Sequence, residues 1–225
     1  MSTKLIVDKT SQLQELKEQP QIVRFFAKLI SYIFHPVFVP VFIMLFLLYV
    51  HPSVFTGHSG WDKKITLFQA ILMYSFFPIV TVLLLRALKF ISSVYLDTQR
   101  DRIIPFVVCN IWYFWIWYVW RSLPDSPREI VILSMAIFLA SAIGLMANIY
   151  MKVSMHAIAM GVTIAFIMLL ALTQSVSSGS YISISLFIAG LVATSRFIAS
   201  DHTPKEIYGG LVSGIAAILI ATLFV

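Results

Sequence analysis

The sequence predicts an all-α polytopic transmembrane helix bundle of about six or seven spans, led by an N-terminal amphipathic interfacial segment. Three observations predict it. Of the 225 residues, 60% are hydrophobic and only 12% charged, more apolar surface than a soluble domain of this length can bury. The mean hydropathy is +0.91. Apolar runs recur along the chain without a central charge and reach or approach the roughly 20 residues that a helix needs to cross the hydrocarbon core.

Residues 1–20 read as a polar N-terminal tail of mixed charge, without the basic, apolar, small-residue order of a cleaved secretory signal. Residues 21–225 form one membrane-embedded domain. From Gln21, QIVRFFAKLISYIF places Arg24 and Lys28 on one helical face and Phe25, Phe26 and Leu29 on another, the pattern of a helix lying in the interface. The apolar runs that follow, 30–50, 65–88, 103–120, 129–151, 155–174, 181–199 and 206–225, read as seven helical spans. His35, Pro36 and Pro40 interrupt the first, which is either a kinked span or a re-entrant segment. The third carries Trp112, Trp115, Trp117 and Trp120 with Tyr113 and Tyr118, the density of an aromatic belt at the headgroups. The loops are short, and no internal repeat or second soluble domain is visible.

A formal net charge of +6 raises nucleic acid as a partner. The basic residues, however, sit in short loops between apolar runs, where membrane topology and anionic headgroups account for them. Cys109 is the one cysteine, so there is no disulfide framework or thiolate metal site, and it reads as a small packing residue.

Three polar clusters interrupt this apolar chain: Asp97-Thr-Gln-Arg100-Asp101-Arg102, Lys152-Val-Ser154-Met-His156, and Ser195-Arg196 with Asp201-His202-Thr-Pro-Lys205-Glu206. On the seven-span count they follow the second, fourth and sixth spans and emerge on one side of the membrane. Together they offer cations, two histidines and a carboxylate, the inventory for phosphoryl transfer without a metal or cofactor. Guanidinium forks stabilise charge on the non-bridging oxygens. Histidine serves as nucleophile or proton donor, because its pKa near 6.5 is readily tuned. His35 and His51 read as interfacial or packed residues.

SRFIASDHTPKEIYGG resembles the third motif of the type-2 phosphatidic acid phosphatase superfamily, S-R-x5-H-x3-D, with Ser195, Arg196, His202 and Glu206 at that spacing. Pro204 and Gly210 extend the match. The second motif, P-S-G-H, is matched by Ser154 and His156, with Val153 and Met155 in the proline and glycine places. In the first, K-x6-R-P, reading back from Pro105 puts Ile104 in the arginine place and Asp97 in the lysine place, with Arg100 and Arg102 as nearby basic substitutes. The motifs stand in the family's order over about 110 residues.

The resemblance implies that His202 attacks phosphorus to form a phosphohistidine and that Glu206, in the family's aspartate place, orients its ring. It implies that His156 protonates the departing alkoxide, and that Arg196, with Arg100 or Arg102 and assisted by Ser154, holds the phosphoryl oxygens. Lys152 and Lys205 add positive potential. Beside these roles stand structural ones. Thr203-Pro204-Lys205-Glu206 is a capping box with proline at the first helical position, and Ser154 is placed to cap the fifth span.

The expected function is therefore an integral membrane lipid-phosphate phosphatase, a hydrolase of phospholipid metabolism acting on a lipid phosphomonoester or diphosphate. The expected partners are that lipid and the bilayer, with no nucleic acid. The alternatives are a phosphotransferase on the same site and a non-catalytic lipid-binding or transport protein. Of the 16 Lys and Arg, Lys63, Lys64, Arg121 and Arg128 fall on the far face and the other twelve on the N-terminal face. The positive-inside rule then places the site at the cytoplasmic face of a bacterial inner (cell) membrane.

Overall fold

The computed structural model describes residues 4–7, 13–16, 19–96, 98–174, 178–199 and 202–225. The chain is a helical integral membrane protein. In the tail, which reads only as polar from sequence, Lys4–Val7 (β1) and Leu13–Leu16 (β2) form an antiparallel hairpin with Lys4 opposite Leu16. The helices follow: α1 Gln21–Ile33, α2 Val39–Val50, α3 Gly60–Ala87, α4 Gln99–Ser122, α5 Arg128–Tyr150, α6 Met155–Thr173, α7 Gly179–Ala199 and α8 Pro204–Phe224. Six of these, α3 to α8, are long and apolar enough to cross a membrane.

Observed helices begin before the apolar runs because hydropathy detects the hydrocarbon-facing part and misses the polar first turn. At α3 that turn is a capping box, with Ser59 Oγ accepting from Asp62 N at 3.1 Å and Asp62 Oδ2 accepting from Ser59 N at 3.1 Å. At α4, Thr98 Oγ1 accepts from Asp101 N at 3.1 Å. Both α2 and α3 widen for one turn to i→i+5 bonding, at Phe46–Val50 and Leu72–Phe76. The second of these sits immediately before Pro78, where a wider turn relieves the loss of an N–H donor.

The interrupted first run resolves into α1, an elbow at residues 34–38, and α2. Although α2 has only 12 residues, its flanks are pinned to opposite ends of α6. The His35 ring lies 5.4 Å from that of His156, while Ser53 Oγ donates to Gln174 Oε1 at 2.6 Å. The segment thus runs alongside α6 from one end of the bundle to the other, beside the six long spans. α1 packs on α7 through buried Ala27 and Ser31 and leaves Ile22, Phe25, Phe26 and Leu29 exposed, the amphipathic division read from its sequence.

α5 and α6 are the most buried of the six spans. The aromatic run on α4 divides: Trp115 and Tyr118 point outward, as a belt requires, while Trp120 is buried and donates to Gln69 Oε1 at 3.2 Å. Trp112 stacks on Phe77 at 4.6 Å. Half of the tryptophan run therefore packs α4 onto α3.

The closest helix pair is α6 with α8. A Cβ on Gly161 would collide with the Leu211 carbonyl, and one on Gly214 with the Ile158 carbonyl. One on Gly210 would come within 2.8 Å of the Ser154 carbonyl. Small residues bring backbones together where lipid leaves no hydrophobic drive between helices. Gly190, by contrast, has nothing within 4 Å of an added Cβ. We expect Gly161→Leu to lower thermal stability in detergent by about 3 kcal/mol or more through backbone displacement, while Gly190→Ala leaves it unchanged or slightly raised. Melting curves of the two purified variants check this.

Candidate functional site

The starts of α4, α6 and α8 and the ends of α5 and α7 meet at one face. The capping box predicted at α8 forms: Thr203 Oγ1 accepts from Glu206 N at 3.4 Å, and Glu206 Oε2 accepts from Thr203 N at 2.8 Å. The same Glu206 oxygen lies 3.2 Å from Nδ1 of His202, whose side chain is only 4% exposed. One carboxylate thus caps the helix and orients the ring. Donation from Nδ1–H leaves the lone pair on Nε2. Burial holds the His202 pKa below its ordinary 6.5; the Glu206 hydrogen bond opposes this, and Arg196 and Arg102 reinforce it.

Arg102 is 4% exposed, and its Nε and Nη1 donate to the carbonyls of Leu96 and Val153, each at 2.8 Å. These bonds tie the loop before α4 to the α5–α6 junction. Leu96 has φ +52°, a left-handed backbone that a leucine seldom adopts, held here by its bond to the guanidinium. Gln99 and Asn148 exchange side chain-to-carbonyl bonds, both at 2.8 Å, and fix the start of α4 against the end of α5. The Asp101 carboxylate takes the N–H of Ser92 at 3.1 Å and also its hydroxyl, folding the loop back over the helix start.

On the α1 side, His156 Nε2 lies 3.0 Å from the Ser31 carbonyl. A carbonyl can only accept, so Nε2 carries the proton. Ser31 Oγ is 3.1 Å from Ser195 Oγ and takes a 3.4 Å contact from Arg196 Nη1. Arg196 is the electrostatic centre of the group, near enough to His35, His156 and His202 to act on all three.

From this polar end a cavity of about 710 Å³ runs into the bundle. Lys28, Ser31, His35, Arg102, His156 and Arg196 line its mouth, and Pro105, Phe106, Ile137, Ala140 and Val162 its interior. Tyr113 lines the deep part, eleven residues beyond Arg102 on α4 and so about 16 Å lower. Cations above an apolar chamber suit an anionic headgroup with an attached tail.

The structure brings Arg102, His156, Arg196, His202 and Glu206 together. Arg100 is exposed and is not among the residues lining the cavity, whereas Arg102 is, so of the two nearby basic residues it is Arg102 that reaches the site. Lys152 is half-buried and off the cavity, and Lys205 is exposed. Ser154 is fully buried, and its Oγ caps α6 by accepting from Ala157 N at 3.4 Å. Asp97 and Asp201 lie outside the described residues. The sequence reading missed Lys28, Ser31 and His35. Their signal was topological, since the seven-span count puts the end of α1 on the same face as the three polar clusters. Among the described residues no three His, Cys, Asp or Glu side chains are grouped to hold a metal ion.

Comparison of the chain with protein-family models, with curated proteins and with solved structures gives no match.

Because the folded state depresses the His202 pKa, the unfolded chain takes up the proton first as pH falls. Stability contributed by this group is complete above pH 6.5, declines below it, and levels off once the folded imidazole itself is protonated. Histidine NMR in detergent, assigned with His202→Gln, should show this ring titrating below 6.5. Glu206→Gln should move the midpoint lower still, because it removes the influence that raises it.

Proposed function

We propose that the chain is a lipid-phosphate phosphatase working through a phosphohistidine on His202, without a metal. The observation that carries the reading is the His202–Glu206 pair, 3.2 Å apart, within electrostatic reach of Arg196 and Arg102, which themselves line an apolar cavity. The resemblance of the 195–210 segment to type-2 phosphatidic acid phosphatases supports it independently.

In this mechanism the lipid phosphate enters tail first, and its oxygens settle against Arg196, with Arg102 adding buried positive potential. Nε2 of His202 attacks phosphorus, the bond to the leaving oxygen breaks, and that oxygen keeps the electron pair. Glu206 stabilises the imidazolium through Nδ1–H. His156 has its Nε2–H engaged by Ser31, so any proton it delivers must leave from Nδ1 of its charged form. Water then attacks the phosphohistidine, releasing inorganic phosphate and regenerating the neutral ring.

A second reading, binding or transport of a lipid phosphate without turnover, draws on two observations. His202 is not among the residues lining the cavity, and two Arg102 nitrogens are committed to backbone carbonyls.

Phosphate release from lipid phosphates by purified protein tests the choice. His202→Ala should lose on the order of 1,000-fold or more in kcat and Glu206→Gln on the order of 10- to 100-fold, with chelator without effect and vanadate inhibitory. Retention of wild-type rate by His202→Ala sinks the phosphatase reading. Absence of release from every lipid phosphate bound selects the binding protein.

We place the site on the cytoplasmic face, since on the seven-span count of the sequence all basic residues except Lys63, Lys64, Arg121 and Arg128 fall on the side of the three polar clusters. In a Cys109→Ala background, an impermeant thiol reagent applied to intact cells should label Asp125→Cys and spare Lys89→Cys. The opposite pattern reverses the orientation.

A further inference from the structure

The face opposite the site carries a polar chain that neither hydrolysis nor lipid binding uses. Gln174, at the end of α6, donates from Nε2 to Glu129 Oε1 at 2.7 Å, and its Oε1 accepts from Ser53 Oγ at 2.6 Å. The serine hydrogen is thereby committed, so in the 3.4 Å contact between Ser53 Oγ and His51 Nδ1 the ring is the donor. The other ring nitrogen, Nε2, then holds a bare lone pair. It is buried without a hydrogen-bond partner among the described residues, on a residue only 6% exposed.

His51 also closes the wide turn of α2. Its N–H donates to the Phe46 carbonyl at 2.8 Å, an i→i+5 bond that ends Phe46–Val50. Its ring packs 5.6 Å from that of Phe46 and 6.2 Å from that of Tyr181 on α7. A turn of this kind is rarer than an α turn and persists where its surroundings hold it. Of the titratable and charged groups around the ring, Tyr181 comes from α7 and Glu129, with exposed Arg128 beside it, from α5. The facing residue of α6 is the neutral Gln174. In the loop beyond, His58 Nε2 meets the Asp125 carbonyl at 3.2 Å, and α3 brings Asp62, Lys63 and Lys64 in its first turns.

We propose that His51 is a proton-operated latch on the face opposite the site. Neutral, it holds the wide turn of α2 through Ser53, Gln174 and Glu129; protonated, it releases that turn, and α2 carries the change to the elbow that seats His35 beside His156.

An imidazolium donates from both nitrogens. Nδ1–H keeps Ser53, but Nε2–H becomes a charged donor buried without an acceptor, which is costly. Leaving for water relieves that cost and frees the turn to relax to α bonding. Burial holds the His51 pKa below 6.5, with Glu129 opposing. The closed latch therefore binds a proton less readily than the open one: its stability is complete above pH 6.5, falls below it, and levels off once the closed-state ring is itself protonated. The other end of α2, about 18 Å away, continues into the elbow. There the Val37 carbonyl accepts from Ser75 Oγ at 2.8 Å and the His35 ring lies 5.4 Å from that of His156. The latch does not depend on which reaction, if any, the site performs.

The test is amide hydrogen exchange on the full-length protein in lipid nanodiscs, corrected for intrinsic rates. It compares about pH 7.5 with about pH 5.5, one unit either side of the ordinary histidine value. In the unmodified protein, exchange in residues 46–53 and in residues 34–39 should rise about three- to tenfold at the lower pH. His51→Asn keeps an N–H near the Nδ1 position but does not titrate, and should show no rise in either segment. Ser53→Ala breaks the chain and leaves the ring, so at the higher pH both segments should already exchange as the unmodified protein does at the lower. Melting curves show that each variant folds, and if His51→Asn does not, Ser53→Ala decides. No rise in the unmodified protein, a rise that persists in His51→Asn, or protection unchanged by Ser53→Ala overturns the latch. A rise confined to residues 46–53 overturns its transmission to the elbow.

Discussion

The architecture of the site depends on the near-contact of two backbones, α6 and α8. Gly161, Gly210 and Gly214 let the helices approach until an added methyl on any of the three would strike main-chain atoms. At the top of the same seam Ser154 N donates to the Glu206 carbonyl at 3.1 Å. His156 therefore begins one helix while Glu206 and His202 begin the other, with a backbone hydrogen bond between the two starts. In lipid, where apolar side chains gain little by meeting one another, such close approach is what gives a helix pair a defined register. A larger residue in the seam would separate the helix starts and with them the charged and proton-carrying groups.

Around this seam the structure concentrates positive charge in a poorly solvated place. Arg102 is nearly inaccessible, and Arg196 lies close to it and to three imidazoles. Burying like charges together is costly unless hydrogen bonds or an anion compensate. The carbonyls of Leu96 and Val153 and the hydroxyl of Ser31 supply part of that compensation. The short second helix matters to this arrangement, because running beside α6 lets the elbow before it deliver His35 to His156.

The Thr203–Glu206 cap and the His202–Glu206 contact were legible because their parts are local. Thr203 and Glu206 are three residues apart and His202 and Glu206 four, spacings that put them on adjacent faces of the first turn, so chain geometry alone assembles the cap and the oriented ring. The Arg102 position was ambiguous because Arg100 and Arg102 occupy the same helical turn. Only the positions of Leu96 and Val153, 51 residues away in the second case, select between them. The contribution of α1 was unreadable for the same reason, since Ser31 meets Ser195 across 164 residues.

Composition by itself determined the membrane habitat and the helical class, because backbone polar groups in hydrocarbon must be paired within the segment that carries them. Run lengths determined the count of long spans to within one, and local spacing determined the caps. Tertiary structure alone decided that the twelve-residue α2 runs alongside α6 from one end of the bundle to the other, that the tryptophans of α4 divide between lipid and core, and that an apolar cavity opens beneath Arg196, His35 and His156. Those outcomes follow from how helices far apart in sequence seat their surfaces on one another. Periodicity names the face that a helix buries; the neighbour it is buried against is set by packing.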